Sequence, residues 1–272
     1  MMKAKFAAVP YLVWVLIFTV VPLLLIVFFA FTTSEGAFTI EHISAVGKYS
    51  DVIFKSIWLA AVATAICLIL AYPLAYIISR NSARQQQVTL MLVMLPMWMS
   101  FLLRTFAWMT LLEKTGVINR ILGFFGLGPF EMINTPGAVV LGMVYNYLPF
   151  LILPLHSIMV KISDSVIEAA QDLGAGPLKV FVRVVLPLSI PGVTSGVTMV
   201  FVPAVSTFII SRMLGGGSNL MIGDLIDMQF LGNAYNPHLG SAISLVLMVI
   251  VLLCMSIMNQ FDDDVDMEGT IV

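Results

Sequence analysis

An arginine in an apolar run, two carboxylates in a glycine-rich loop and a set of aromatic rings are the residues here whose types and spacing could do chemistry. Arg104 lies in LPMWMSFLLRTFAWMTLL (Leu95–Leu112), where a charge costs roughly 2.5–3.5 kcal/mol on membrane-insertion scales. That cost points to a functional or paired guanidinium. The plainer alternative is an arginine that carries its head outward from near the helix end. Asp224 and Asp227 lie in LGGGSNLMIGDLIDMQFL (Leu214–Leu231), with no Lys or Arg after Arg212. Carboxylates there would attract a cation by charge and hydrogen bonding, or else contact a partner protein or face water. Trp98, Trp108, Tyr145 and Tyr147 could meet ammonium groups through their faces; otherwise they serve as packing or interfacial anchors. Arg212 reads as an outer anchor.

Other chemistries are excluded by spacing. His42, His156 and His238 are isolated, so neither an H-E-x-x-H zinc site nor a Ser/His nucleophile is spelled out. Cys67 and Cys254 stand alone in apolar runs, which implies no disulfide scaffold and no zinc site. No G-x-x-x-x-G-K-[ST] loop is present, so the chain is not expected to hydrolyse ATP. No catalytic residue, bound cofactor or metal is expected, and a net charge of −2 argues against nucleic acid.

The elements that must position these residues are set by the bilayer. Of 272 residues, 60% are hydrophobic and 10% charged, against roughly 25% charged in a soluble domain. A spanning helix needs about 20 mostly apolar residues, and six stretches qualify: 9–31, 56–79, 88–112, 137–160, 189–213 and 240–258. Barrel strands would be about 10 residues long and alternating, so the expected fold is all-α, a single membrane domain over 1–272. The first run extends from Phe6 to Phe31 with no A-x-A site after it. It is longer than a signal-peptide core of about 7–15 residues and reads as a retained span.

Lys and Arg set orientation. With the N-terminus inside, the inner face holds Lys3, Lys5, Arg80, Arg84, Lys161, Lys179 and Arg183, and the outer face Lys48, Lys55, Lys114 and Arg120. Both termini are then cytoplasmic. Pro22, Pro73, Pro96, Pro149, Pro154 and Pro203 fall within spans and should bend them. Such bends suit helices around a cavity, although Pro is also simply commoner in membrane helices.

The loop 161–188, on the inner side, reads KISDSVIEAAQDLGAGPLKVFVRVVLPL. Ile162, Val166, Ala169, Ala170 and Leu173 recur at helical spacing, and Ser165 with Glu168 fits a capping box. Gly174-Ala175-Gly176-Pro177 breaks the helix, and Pro177 is suited to open another. A second amphipathic stretch, Leu178 to Val185, then leads through Leu186-Pro187 into the fifth span. The loop is a compact helix–turn–helix.

Glu168-Ala169-Ala170, Gly174, then Val184-x-Leu186-Pro187 resembles the EAA loop of ABC importer permeases, with Val184 in place of Ile. The resemblance implies a type I importer permease, MetI-like, with six transmembrane helices. It also implies that the loop docks in a groove of a cytoplasmic ATPase. Ala169 and Ala170 would allow close approach, Gly174 would set the interhelical angle, and Glu168 would meet a basic group. The stretches around Leu95–Leu112, Gly116–Asn119, Val140–Pro154 and Leu214–Leu231 are similar to the first permease subunit of spermidine/putrescine importers. Permeases for iron, thiamine, sulfate or opines share parts of them. The resemblance implies two ATPase subunits using ATP and Mg, a second and different permease, an external binding protein, and a bacterial cytoplasmic membrane. Arg104, Trp108, Tyr145, Asp224 and Asp227 are the expected substrate-path residues. A secondary transporter is the rival, but it would be larger, with midplane carboxylates that these spans lack.

Overall fold

The computed structural model describes residues 9–232 and 234–269, the side chains of 259 and 261–269 excepted. Lys3 and Lys5, counted on the inner face, therefore lie outside the described residues. Among the described residues there is no strand, only an isolated bridge between Thr32 and Phe38. The helices are α1 (Val9–Ala30), α2 (Glu41–Val46), α3 (Ser50–Ser79), α4 (Ala83–Met94), α5 (Phe101–Leu112), α6 (Val117–Phe124), α7 (Pro136–Met159), α8 (Asp164–Asp172), α9 (Pro177–Val205), α10 (Ile209–Leu214), α11 (Ile222–Phe230) and α12 (Pro237–Gly269).

At the centre, α7 packs against α3 on one side and α9 on the other. Lipid tails are as apolar as the side chains, so helices here associate by close packing rather than by escaping water. The sequence provides for that. Ala60, Ala63, Cys67, Ala71 and Ala75 form a fully buried small-residue face on α3. On α9, a Cβ added at Gly192 would stand 3.1 Å from the Pro154 carbonyl, and one at Gly196 would stand 3.3 Å from that of Leu151. The seam between α9 and α7 depends on those two missing side chains. Buried polar bonds cross the bundle: the Tyr72 and Ser189 hydroxyls lie 2.6 Å apart, and Ile222 N donates to Ser56 Oγ at 2.8 Å.

Five helices are long and apolar enough to cross a membrane: α1, Glu41–Ser79, α7, α9 and Pro237–Met258. The third expected span, 88–112, is not continuous. Ala83–Trp98 and Phe101–Phe124 meet at an 85° bend. Pro96 withholds a backbone donor, the chain tightens to a 3₁₀ turn over Leu95–Trp98, and Met99 then becomes extended. The fifth span also differs from 189–213. Its helix begins at Pro177, so the second stretch of the loop is part of it and Leu186-Pro187 marks no boundary. It stops at Val205, and Ser206–Phe208 are unwound before α10.

Prolines Pro22 and Pro187 each follow a wide turn, Leu16–Val20 and Phe181–Val185, in which Val21 and Leu186 donate five residues back. The wider turn accommodates a residue that has no donor and whose ring crowds the carbonyl four positions earlier.

Candidate coupling loop and substrate path

The loop's first helix, α8, starts after Ser163, and its sequence cap is not the expected one. Ser165 lies inside the helix, where its hydroxyl pairs with that of Ser163 at 2.8 Å rather than with Glu168. The capping-box reading of Glu168 is thereby corrected. Glu168 is exposed and makes no ion pair or side-chain hydrogen bond among the described residues. The helix end fulfils its expectation. Gly174 takes φ +79°, its N–H donates to Gln171 O at 2.8 Å, and Ala175 N–H donates to Ala170 O at 3.1 Å. These are the two bonds of a Schellman stop, and the left-handed residue between them favours glycine.

Two contacts fix the loop to the bundle. Ile162, Val180 and Val185 form a small separate core, joined by Tyr76, Ile167, Ala170 and Ala175. Arg80, at the end of α3, donates to Asp164 Oδ1 at 2.7 Å, to Ile162 O at 3.0 Å and to Met159 O at 3.3 Å, with its guanidinium over the Tyr76 ring. The two alanines therefore differ. Ala170 faces this inner core, while Ala169 is exposed beside Glu168. Leu173 and Leu178 are 89% and 76% exposed and flank the turn. The turn thus presents two exposed apolar side chains, with Glu168 exposed on the helix before it and Lys179 and Arg183 exposed on the helix after it. Leu186 is just exposed and Pro187 half-buried, both within α9.

The outer residues fall into two groups. Arg104 and Trp108 lie one turn apart on α5. Trp108 meets Tyr145 of α7 edge-on at 5.4 Å, and the Arg104 guanidinium lies 5.8 Å from the Phe101 ring, which stacks on Tyr147. Arg104 is buried, at 7% exposure, so it does not carry its charge out to the surface. Trp98 is exposed and stands apart from this group.

Asp224 and Asp227 form the second group, on the short helix α11. Arg212 pairs with both: its Nε stands 3.8 Å from Asp224 Oδ1, and its Nη2 bonds Asp227. Asp224 is wholly buried and its Oδ2 accepts from Met221 N at 2.9 Å. Burial pushes its carboxyl above the usual range, opposed by hydrogen bonds and by Arg212. The Asp227 bond holds the Arg212 guanidinium more firmly protonated. Neither acid is a free surface charge, and Arg212 is their counter-ion rather than a simple anchor. Asp227 lines an apolar cavity of about 380 Å³ with Ser206, Phe208 and Ile226. Ser206 and Phe208 also line a second cavity of about 160 Å³ with Phe101 and Tyr147. The unwound segment of the fifth span thus stands between the two groups. Gly223 is required beside it, since a Cβ there would lie 2.4 Å from Ser206 O.

Sequence reasoning did not single out Arg80, Lys55 or Asn219. Lys55 donates to Asn219 Oδ1 at 2.8 Å, and Asn219 donates to Asn134 O at 2.9 Å, tying the glycine-rich loop to α3 and to the segment just before α7. Their sequence signal is only that of polar residues at span ends.

Comparison with known proteins agrees with this geometry. Residues 68–266 match the family described as binding-protein-dependent transport system inner membrane component. The spermidine/putrescine transport system permease protein PotB of Haemophilus influenzae is 36% identical over 250 residues, 88% of this chain and 87% of that one. The protein of the same name from Escherichia coli is 33% identical over 248 residues, 88% and 90% of the two chains. A crystal structure of a bacterial ABC transporter involved in import of the acidic polysaccharide alginate shares the fold. Its TM-score is 0.82 at 18% identity, covering 97% of this chain and 96% of that one. The chain is a member of the family of binding-protein-dependent transport system inner membrane components.

Proposed function

We propose that the chain is one permease subunit of an ATP-driven importer whose cargo is a polyamine such as spermidine or putrescine. The observation that carries the cargo is the likeness, along 88% of the chain, to permeases named for spermidine/putrescine transport. The exposed apolar side chains at the turn of the loop, with Glu168 exposed before them, support docking on a separate ATPase. Two ATPase subunits use ATP and Mg; this chain holds no cofactor. A different second permease and an external binding protein complete the assembly in the bacterial cytoplasmic membrane, both termini of this chain facing the cytoplasm.

Glu168, Ala169 and Gly174 form the docking surface, Ala170 seats α8 on the loop's small core, and Leu186 and Pro187, within α9, carry its movement along that helix. Closure of the ATPases displaces the loop, and α9 passes that displacement to the unwound Ser206–Phe208 segment. The substrate path runs by Trp108, Tyr145 and Asp227, where ring faces and a carboxylate suit ammonium groups, with Arg104 and Asp224 fixing structure beside it. The test is ATPase activity of the purified complex with its binding protein across a ligand panel. Stimulation by spermidine or putrescine, and not by ferric ion, thiamine or sulfate, is expected. Stimulation by one of the others instead would discard polyamines and keep the importer.

A further inference from the structure

Arg104 is more than nine-tenths buried, and its Nε and Nη1 have no hydrogen-bond partner among the described residues. Its ring neighbour among the described residues is Phe101, and the charge also acts on Tyr147. A guanidinium with two of its three nitrogens taken out of solvent and left without an acceptor is strongly unfavourable, and buried charges in proteins are as a rule paired. The chain alone is therefore incomplete at this point.

We infer that Arg104 is this chain's half of an intermolecular ion pair, and that its acceptor is an Asp or Glu carboxylate on a membrane helix of the non-identical second permease. The inference rests on the proposed function, since that is what provides a second permease. Charge chooses the partner's chemistry: a guanidinium needs an anion or a strong acceptor, and a polyamine cargo supplies neither. Orientation argues against lipid. The exposed face of α5 carries Leu102, Leu103 and Phe106, whereas Arg104 shares the inward face with Thr105 and Leu112.

A second copy of this chain is a poor source of the carboxylate. From 52 to 112, 132 to 163, 173 to 223 and 228 to 261 it has no Asp or Glu, so its crossing helices offer only Glu41 and Asp51, both at the outer end of the Glu41–Ser79 helix. A different sequence supplies the acceptor. The setting also suits an outside helix, because Arg104 follows the 85° bend and α4, on the other side of that bend, buries none of its residues in this chain.

The test is charge exchange in the assembled complex. With wild-type chains, the second permease must copurify; if it does not, the importer reading fails and this inference is not what failed. Given that control, Arg104→Glu is expected to reduce the copurified second permease by about tenfold or more, the scale of an unpaired buried charge. Each Asp or Glu in the membrane helices of the second permease is then changed to Arg in the Arg104→Glu background. One such exchange should restore the pair.

The full-length chain purified alone gives an independent reading. There Arg104→Met should melt at the same temperature as wild type or higher, since it removes an unpaired charge, while the complex should melt lower. Three results overturn the inference: no exchange restores assembly, Arg104→Met lowers the melting temperature of the lone chain as much as that of the complex, or transport is lost with the permease pair intact.

Discussion

Arg80→Gln should uncouple ATP hydrolysis from transport by loosening the loop rather than by altering the surface it presents. The wild-type side chain makes one bond to Asp164 and two to backbone carbonyls, and lies on the Tyr76 ring. The Asp164 side chain is 78% exposed, so that ion pair contributes about 0–1 kcal/mol. The carbonyl bonds come from a charged donor that is only 22% exposed, and such bonds contribute up to about 1.5 kcal/mol each when partly hydrated. The expected loss is about 2–3 kcal/mol, which shifts the docked–undocked balance of the loop by about 30- to 150-fold. Hydrogen exchange over 161–185 should accelerate accordingly, and reconstituted complexes should hydrolyse more ATP per molecule imported. Asp164→Asn is the internal control and should change either quantity about fivefold at most. Unchanged exchange and coupling in Arg80→Gln would refute the anchoring role. Equal effects of the two substitutions would refute the division between carbonyls and ion pair.

Glu168→Ala leaves an exposed helix with a better helix former, so its effect should appear only in the complex. Loss of a charge-assisted bond of about 1.5–3 kcal/mol lowers ATPase retention by about tenfold or more, and wild-type coupled transport would remove the role. Gly196→Val forces atoms against the Leu151 carbonyl and should destabilise the bundle by about 1–3 kcal/mol, read as a lower melting temperature; an unchanged one would mean the seam is loose. Asp224 has its folded pKa raised by burial, so its contribution to stability is full below the ordinary carboxylate value near 4. That contribution is lost as pH rises through the raised value. Asp224→Asn should flatten the fall in melting temperature above pH of about 4, and an identical slope in the variant would contradict it. Asp227→Asn should reduce polyamine uptake, since Asp227 lines the larger cavity; unchanged uptake would leave it as a partner of Arg212 only.

The residues show why some of this was legible in sequence and some was not. Apolar runs of bilayer length announce themselves, and so does a loop in which Gly174 and Pro177 bracket a turn, because both signals are local. The bend at Met99–Ser100 is not local in that sense. Neither residue is a helix breaker, and Pro96, read as an ordinary kink, acts by tightening the turn after it. The early end of the fifth span has the same character, since Ser206–Phe208 carry no breaker and Gly223 of another helix occupies the space beside them. Least legible are Arg80 and Arg212, whose meaning lies in partners: Arg80 meets Asp164 far along the chain, and Arg212 neutralises acids that in sequence looked free. Arg104 was recognisable as costly but not as inward-facing, because facing depends on which neighbours cover a helix.

The continuity of α9 from Pro177 to Val205 makes it a first-class lever. Its fulcrum is the tight seam at Gly192 and Gly196, where no side chain can absorb sliding. At about 1.5 Å per residue, the arm towards Pro177 measures roughly 26 Å and the arm towards Ser206 roughly 17 Å. A tilt of about 10° would then sweep the inner tip through about 4–5 Å and the outer tip through about 3 Å in the opposite sense. The mechanical ratio exceeds one, so a displacement applied at the 161–188 loop is reduced in travel and multiplied in force before it reaches Ser206–Phe208.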